Sequence, residues 1–421
     1  MIIDNLKSKI SDPLVFRGIK NASFLSAGNF ISMVIGFIGF IYIARMFGPE
    51  RFGIYSTVIA FVTFFLIFTL SGLPKVIVRE GSRSIGSLNR TLDELIGVRL
   101  LSVIIAVGLC VGICLLTDYS KLVKTGIIIF STELIYVGIN SFLETIYQTV
   151  EKMQYLVYFN VSTRLFITLF SILALSLGAG ILLILGINLL VKFLILCINH
   201  RFSRKFAHFK FNWSININKA LLMPTLVFSL MGFINAFSIK IDLLVISFLS
   251  TSVDVGIYGV AHGIAREGLT LRNLIVFAFF PLSVKLIQQN KVNVKNLFLY
   301  SFLFFLCVLC GCVVFSFFAS DVVGILFGRE YALSAPILRA LLFFLPFAFF
   351  TLPLTTYLQA SNREKLLLLV QIVSAILNLI LNVVFFYMFG LIGIAYATIV
   401  IFFIQSILLS YFVIRKKKRS H

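Results

Sequence analysis

The sequence predicts an all-α polytopic membrane protein of about twelve transmembrane helices in two six-helix lobes, with both termini cytoplasmic. Three observations predict it. The 421 residues are 60% hydrophobic and only 12% charged, with a mean hydropathy of +1.06, which is more apolar surface than a soluble chain of this size needs. Apolar stretches of about 20 residues, enough to cross about 30 Å of hydrocarbon, recur along the whole chain. Lys and Arg gather in alternate connecting segments, the pattern that orients spans in a bilayer.

In chain order the expected spans are 22–44, 53–73, 96–116, 125–147, 156–178, 181–199, 221–249, 256–282, 296–318, 333–357, 366–388 and 391–413. The first is not followed by a small-residue cleavage site and a polar mature region, so it is expected to be retained. With a cytoplasmic N-terminus, 24 of the 36 Lys and Arg fall in cytoplasmic segments and five outside; the other seven lie within spans. That asymmetry sets the orientation and suits the cytoplasmic (inner) cell membrane.

The expected organisation is a cytoplasmic N-terminal segment (1–20), an N-lobe of spans one to six (21–199), a linker (200–220), a C-lobe of spans seven to twelve (221–413) and a basic cytoplasmic tail (414–421). The linker interleaves Phe202, Phe206, Phe209, Phe211 and Trp213 with Arg201, Arg204, Lys205 and Lys210, a composition suited to the membrane interface. Gly53-Ile54-Tyr55 opens span two and Gly256-Ile257-Tyr258 opens span eight. Halves of six spans each must run parallel, related by an axis along the membrane normal.

Several function classes drop out. The net charge of +20 follows from positive-inside bias and attraction to anionic membrane lipids, so no nucleic-acid partner is implied. All six Cys lie in apolar spans, where Cys307-x-x-Cys310 reads as packing because no electropositive loop surrounds it. No Walker loop and no Cys/His cluster with metal spacing occurs, and no cofactor or metal is expected. The outer loops hold no DxD-like pair and are too short for a catalytic site, so the chain is not expected to be an enzyme.

Seven cations fall inside spans: Arg99, Arg164, Lys192, Lys240, Arg266, Arg272 and Arg339. Each costs roughly 2.5–3.5 kcal/mol on insertion scales, so a chain that keeps several uses some to hold something negative. Arg99 and Arg272 are expected to snorkel from cytoplasmic ends, and Arg339 to reach the outer interface. In span eight, Gly259, His262, Arg266, Thr270 and Asn273 share one face at helical spacing. Span four aligns Glu133, Tyr136, Asn140, Glu144 and Tyr147; span five aligns Asn160, Arg164, Thr168 and Ser171; span six aligns Asn188, Lys192 and Asn199. Span seven aligns Ser229, Gly232, Asn235, Ser238 and Asp242. Such faces look into the bundle or a water-filled cavity. The candidate substrate-binding residues are therefore Arg266, His262, Asn273, Arg164, Lys192 and Lys240. On span eleven, Gln371, Ser374, Asn378 and Asn382 read as interhelical hydrogen-bonding residues. The intramembrane acids Asp242, Glu267, Glu133 and Glu144 either carry a coupling ion or pair with Arg164, Lys192 or Arg266; Lys240 and Asp242 each have neighbours that could neutralise them.

Four segments then carry a resemblance. They are 40–55 (FIYIARMFGPERFGIY), Asp242 through Tyr258, 326–339 (LFGREYALSAPILR) and the stretch from Gly390 to Thr398. In this order they resemble the polysaccharide transporter family, the O-antigen and oligosaccharide flippases, of the multidrug/oligosaccharidyl-lipid/polysaccharide (MOP) superfamily. The resemblance implies MATE-like lobes around a central cavity, rocking between inward- and outward-facing states. It implies an anionic lipid-linked oligosaccharide, carried on a polyprenyl or dolichyl pyrophosphate, as substrate, and polysaccharide assembly enzymes as partners. Arg45 and Gly48 match the first-loop motif, which suggests conformational roles for them and for Gly53 and Gly256. A cation-coupled multidrug antiporter of the same superfamily would share the fold but is expected to have an acidic cavity. A membrane enzyme of glycan assembly would need the outer-loop constellation that is missing.

Overall fold

The computed structural model describes residues 13–82, 84–208, 219–288, 293–361 and 363–417. The expected N-terminal segment up to residue 12, the linker residues Phe209, Lys210, Phe211 and Trp213, and the last four residues of the tail lie outside the described residues, as do the side chains of Asn235 and Ser238. Among the described residues every regular element is helical. In order they are α1 (Pro13–Phe64), α2 (Leu73–Gly81), α3 (Ile85–Leu116), α4 (Lys121–Phe130), α5 (Glu133–Thr149), α6 (Met153–Ser176), α7 (Ile181–Ser203), α8 (Lys219–Leu249), α9 (Ser252–Gln288), α10 (Val294–Phe327), α11 (Ser334–Leu342), α12 (Phe344–Ala360), α13 (Glu364–Phe389) and α14 (Leu391–Lys417). Nine described helical stretches are long and apolar enough to cross a membrane. One of them, Phe24–Thr69, takes in most of both of the first two expected spans, and α8 and α9 stand where the seventh and eighth are expected.

The breaks in these helices position the site. The expected outer loop between spans one and two shrinks to one residue, Gly48, at φ 68° and ψ 173° inside α1. Glycine accepts that left-handed φ without a Cβ clash, and Pro49 then opens the second arm, where its missing N–H costs nothing. The second arm tightens into a 3-10 turn, Phe65–Thr69, and ends at Leu70 with φ 52°. Beyond it α2 and the start of α3 occupy the expected 74–95 loop, with Ser84 and Ser87 forming a reciprocal cap on α3. Span four divides into α4 and α5 at Ser131–Thr132, whose hydroxyls turn back onto the Ile128 and Ile129 carbonyls at 2.7 and 2.8 Å. That division sets Glu133 in the first turn of α5, where the helix dipole favours an acid. Span ten likewise divides into α11 and α12 at Phe343.

One apolar core runs through both halves, from Val58, Ile127 and Leu185 to Tyr258, Ala261 and Leu338. The two arms of α1 pack on α6 within the N-lobe and on α9 across the lobe interface; α13 on α14 and α10 on α12 hold the C-lobe. Large apolar side chains also point outward, among them Phe317 at 74% and Ile104 at 59% exposure. On helices of this length they form the face that hydrocarbon covers.

Two intramembrane arginines depart from expectation. Arg99 does not snorkel: it is 1% exposed and sits 14 residues inside α3, because that helix begins at Ile85, well before the expected span. Its guanidinium donates to the Gly138 carbonyl at 2.7 Å, the Leu70 carbonyl at 3.0 Å, the Thr69 carbonyl and the Ser141 hydroxyl. The turn at Phe65–Leu70 leaves carbonyls without intrahelical donors, and the five N–H groups of arginine supply them. Arg272 lies 16 residues short of the end of α9, about 24 Å at 1.5 Å per residue, too deep to snorkel. It donates instead to Ala348 O (2.7 Å) and Thr351 Oγ1 (3.3 Å) of α12. Arg339, which is exposed, binds the Ser316 carbonyl (3.2 Å) and Ser320 Oγ (2.9 Å) of α10, at the expected outer end of span nine.

Candidate substrate cavity and lobe seams

The polar faces of spans four, five and six converge on one cavity of about 310 Å³. Glu133 and Tyr136 enter from α5, Asn160, Thr163 and Arg164 from α6, and Lys192 from α7. Three polar contributors were not singled out from sequence: Thr163 of α6, beside Arg164, and Asn29 and Ser32 of α1, whose i, i+3 spacing is the signal that could have found them. Lys192 Nζ meets Glu133 Oε1 at 2.6 Å, both side chains largely buried, with the Phe130 and Tyr136 rings 5.8 and 5.6 Å from the ammonium. The second Glu133 oxygen and the Ser32 hydroxyl are buried with no partner among the described residues. Buried polar atoms of this kind call for water or a ligand.

Arg164 differs from Lys192. Its side chain is exposed to the cavity and lies beside Gly36 of α1, and among the described residues no carboxylate is within ion-pair distance of it. From the C-lobe, Lys240 on α8 and Arg266 on α9 come within its electrostatic reach. Lys240 feels Arg266 and Arg164, and His262 feels Lys240 and Arg266. Two carboxylates accompany these cations: Glu133, committed to Lys192, and Glu267, beside Arg266 and bonded by Thr270, with its Oε2 buried and unpartnered. Gathering like charges out of bulk water costs energy that an arriving anion offsets.

The remaining candidates lie elsewhere. Asn273 accepts from Arg272 at 3.4 Å and joins the carbonyl-capping group. Glu144 reaches Tyr136 electrostatically, yet its carboxylate is bound into a chain in which Asn140 donates to Glu144, Asn199 to Asn140 and Tyr147 to Asn199, at 2.9, 2.9 and 2.7 Å. Asp242 is 3% exposed and forms no bond to Lys240. Tyr258 of α9, Asn382 of α13 and Thr398 of α14 donate to it at 2.9, 2.8 and 3.2 Å, so one carboxylate ties four C-lobe helices. The amide oxygens of Asn378 and Asn382 are buried nearby on α13 without partners among the described residues.

Two seams join the lobes at opposite ends of the second arm of α1. At the Gly48 end the two Gly-Ile-Tyr motifs meet reciprocally. A Cβ on Gly53 would fall 1.7 Å from the Ser252 carbonyl oxygen, and one on Gly256 2.0 Å from that of Pro49. Each glycine thus touches the residue four positions before the other, as a parallel repeat requires. Arg45 donates to the Ile325 carbonyl in the last turn of α10 at 3.1 Å, a cation at a helix C-terminus. Tyr331 donates to Ala44 O at 2.8 Å, and a Cβ on Gly48 would lie 2.9 Å from Glu330 Oε2. At the Leu70 end, Gly72 N–H donates to Ser229 Oγ at 2.9 Å, and a Cβ there would sit 2.4 Å from Thr225 O. This second seam, around Ser71, Gly72 and Ser229, was not read from the sequence.

Helical lobes closed over a cation-lined cavity define a membrane-transporter fold. The chain belongs to the family described as "Polysaccharide biosynthesis protein", which it matches over residues 19–287. It is 26% identical over 172 residues to the probable low-salt glycan biosynthesis flippase Agl15 of Haloferax volcanii, a match covering 40% of this chain and 36% of that protein, so just over a third of that relative's length is spanned. Its fold is that of the lipid II flippase MurJ in an inward closed conformation, with TM-score 0.76 and 16% identity over 92% of this chain and 87% of that one. It is also that of an inward-facing MATE family multidrug resistance transporter of the MOP superfamily, with TM-score 0.75 and 14% identity over 94% and 99% of the two chains.

Proposed function

We propose that this protein turns an anionic lipid-linked oligosaccharide across the cytoplasmic membrane by alternating access. The observation that carries this reading is the convergence of Arg164 from one lobe with Lys240 and Arg266 from the other, with Glu267, among the described residues, the one carboxylate beside them outside an ion pair. A pyrophosphate bridging these cations neutralises the repulsion between the lobes and draws them together. Asn29, Ser32, Asn160 and Thr163 then offer hydrogen bonds to glycan hydroxyls, while the lipid tail stays in the bilayer. His262 lines the C-lobe side. In this mechanism the Gly53–Gly256 seam is the outer gate and the Gly72–Ser229 seam the inner one, opening in alternation. Arg45 and Gly48 set the geometry of the outer gate.

The coupling ion, in this reading, acts at Asp242. Neutralising that carboxylate would reset the bonds that fix α8, α9, α13 and α14, and the unpartnered Asn378 and Asn382 oxygens offer additional ligands. Glu267 is the second candidate, beside Arg266. The test is flipping of a labelled polyprenyl-pyrophosphate oligosaccharide in proteoliposomes, wild type beside Arg266→Ala. Transport by wild type that the variant loses, at normal membrane insertion, is the expected result. Wild-type transport by Arg266→Ala, or export of small organic cations in place of the glycolipid, overturns the assignment.

A further inference from the structure

A second cavity of about 360 Å³ lies between α3, α5 and α7, lined by Ile96, Leu100, Ile139, Leu143, His200 and Arg204, with Phe142 at its floor. It shares no lining residue with the polar cavity. Its floor is dry and fixed: Phe142, Leu143 and Ile96 are 0%, 1% and 6% exposed. Leu100 and Ile139 are half-buried, so the groove opens sideways along the helices. His200 and Arg204 stand exposed at one end of it, one helical turn apart at the end of α7. Among the described residues, no carboxylate lies within ion-pair distance of Arg204.

We infer that this groove binds an acidic phospholipid of the inner leaflet, its headgroup phosphate on Arg204 and one acyl chain along Ile96, Leu100, Ile139 and Leu143. The inference rests on the cytoplasmic placement of the Arg204 end in the proposed orientation. Basic residues that close an apolar slot between spans at the cytoplasmic surface match the two chemistries of such a lipid, and that leaflet supplies the anionic headgroups. A glycolipid substrate fits less well, because the groove offers its sugars only His200 and Arg204 among polar side chains. The long Arg stem extends over apolar surface while its guanidinium stays at headgroup level. Occupied, the slot is filled by a lipid that wedges α3 against α5 and α7; Arg99 of α3 already ties it to α5 through the Gly138 carbonyl and the Ser141 hydroxyl.

The test measures lipid retention and thermal stability of the full chain purified in detergent, with dioleoyl phosphatidylglycerol beside dioleoyl phosphatidylcholine. Wild type should retain and be stabilised by the acidic lipid over the zwitterionic one. Arg204→Gln should weaken that preference about fivefold, the worth of one cation near an anionic surface. Leu100→Trp, which fills the slot, should abolish retention of both lipids at this site; if it does not fold, Arg204→Gln alone decides. Equal preference in wild type and Arg204→Gln overturns the inference. So does displacement of the acidic lipid by inorganic phosphate, which would mean an anion site without a chain, or by a polyprenyl phosphate at lower concentration, which would make the groove a carrier-lipid site. Retention is scored without transport, so its failure leaves the flippase reading standing, and a chain that binds the lipid but moves no glycolipid sinks only that reading. Labelling a cysteine placed at the exposed position Arg201 from one side of sealed vesicles tests the orientation separately.

Discussion

Arg99 and Arg266 are the same residue type, each 14 residues from the start of its helix, used in opposite ways. Arg99 is sealed in the N-lobe with acceptors on every side: two carbonyls at the end of span two, one on α5 and a serine hydroxyl. Arg266 is exposed to the lobe interface beside like charges, with one neighbouring carboxylate. The difference teaches that an intramembrane cation marks a binding site only when its donors are left over. Arg99 has answered a backbone break; among the described residues Arg266 and Arg164 form no ion pair, with Glu267 only a neighbour of Arg266.

Substitutions sharpen that contrast. The largest effect is expected from Arg99→Met, which strands the Thr69 carbonyl and takes one donor each from the Leu70 and Gly138 carbonyls in a dry core. Each buried unsatisfied group costs about 1–3 kcal/mol, so the melting midpoint in detergent and the yield of monodisperse protein should collapse, while Arg266→Ala melts like wild type. A stable Arg99→Met protein would erase the distinction. Next comes Gly53→Val, whose side chain must displace the Ser252 backbone. Biasing the seam open by about 1.4 kcal/mol already shifts its population tenfold. Glycolipid flipping should fall by at least that factor while cysteines placed at the seam become more reactive from outside. The smallest effect is expected at the Lys192–Glu133 pair. Lys192→Met alone leaves the Glu133 carboxylate largely buried and unpaired, and Glu133→Gln in the same chain removes that charge. The single change should lower stability by roughly 3 kcal/mol or less and the double change should recover most of it; a double variant no better than the single would mean that Lys192 itself carries the stability.

Much of the cavity was legible because helical periodicity alone aims side chains. Arg164, Lys192, Arg266 and His262 were each placed on an inward face from spacing, whereas Lys240 was marked only as a cation within a span; Lys192, Lys240 and Arg266 all come within electrostatic reach of Arg164. What spacing could not show is where a helix breaks. Leu70 takes a left-handed φ with no glycine or asparagine to announce it, so the carbonyls that capture Arg99 were invisible and the residue read as a snorkelling one. Span length misled in the same direction, since α3 and α9 run well past their apolar stretches into polar sequence. The partners of Asp242 sit on spans eight, eleven and twelve, up to 156 positions away. Each was visible in its own stripe or motif, but their meeting is a matter of tertiary packing, which no local pattern encodes.

The reciprocal glycine contact has a genetic consequence. Each glycine abuts main-chain atoms of the opposite repeat, and a main chain cannot be trimmed by substitution. A bulky residue at Gly53 or Gly256 therefore has no complementary side-chain deletion across the seam. Second-site revertants of such alleles should map instead to positions that shift a whole helix, such as the Gly48-Pro49 bend, and neither glycine motif can drift at this point without stalling the other.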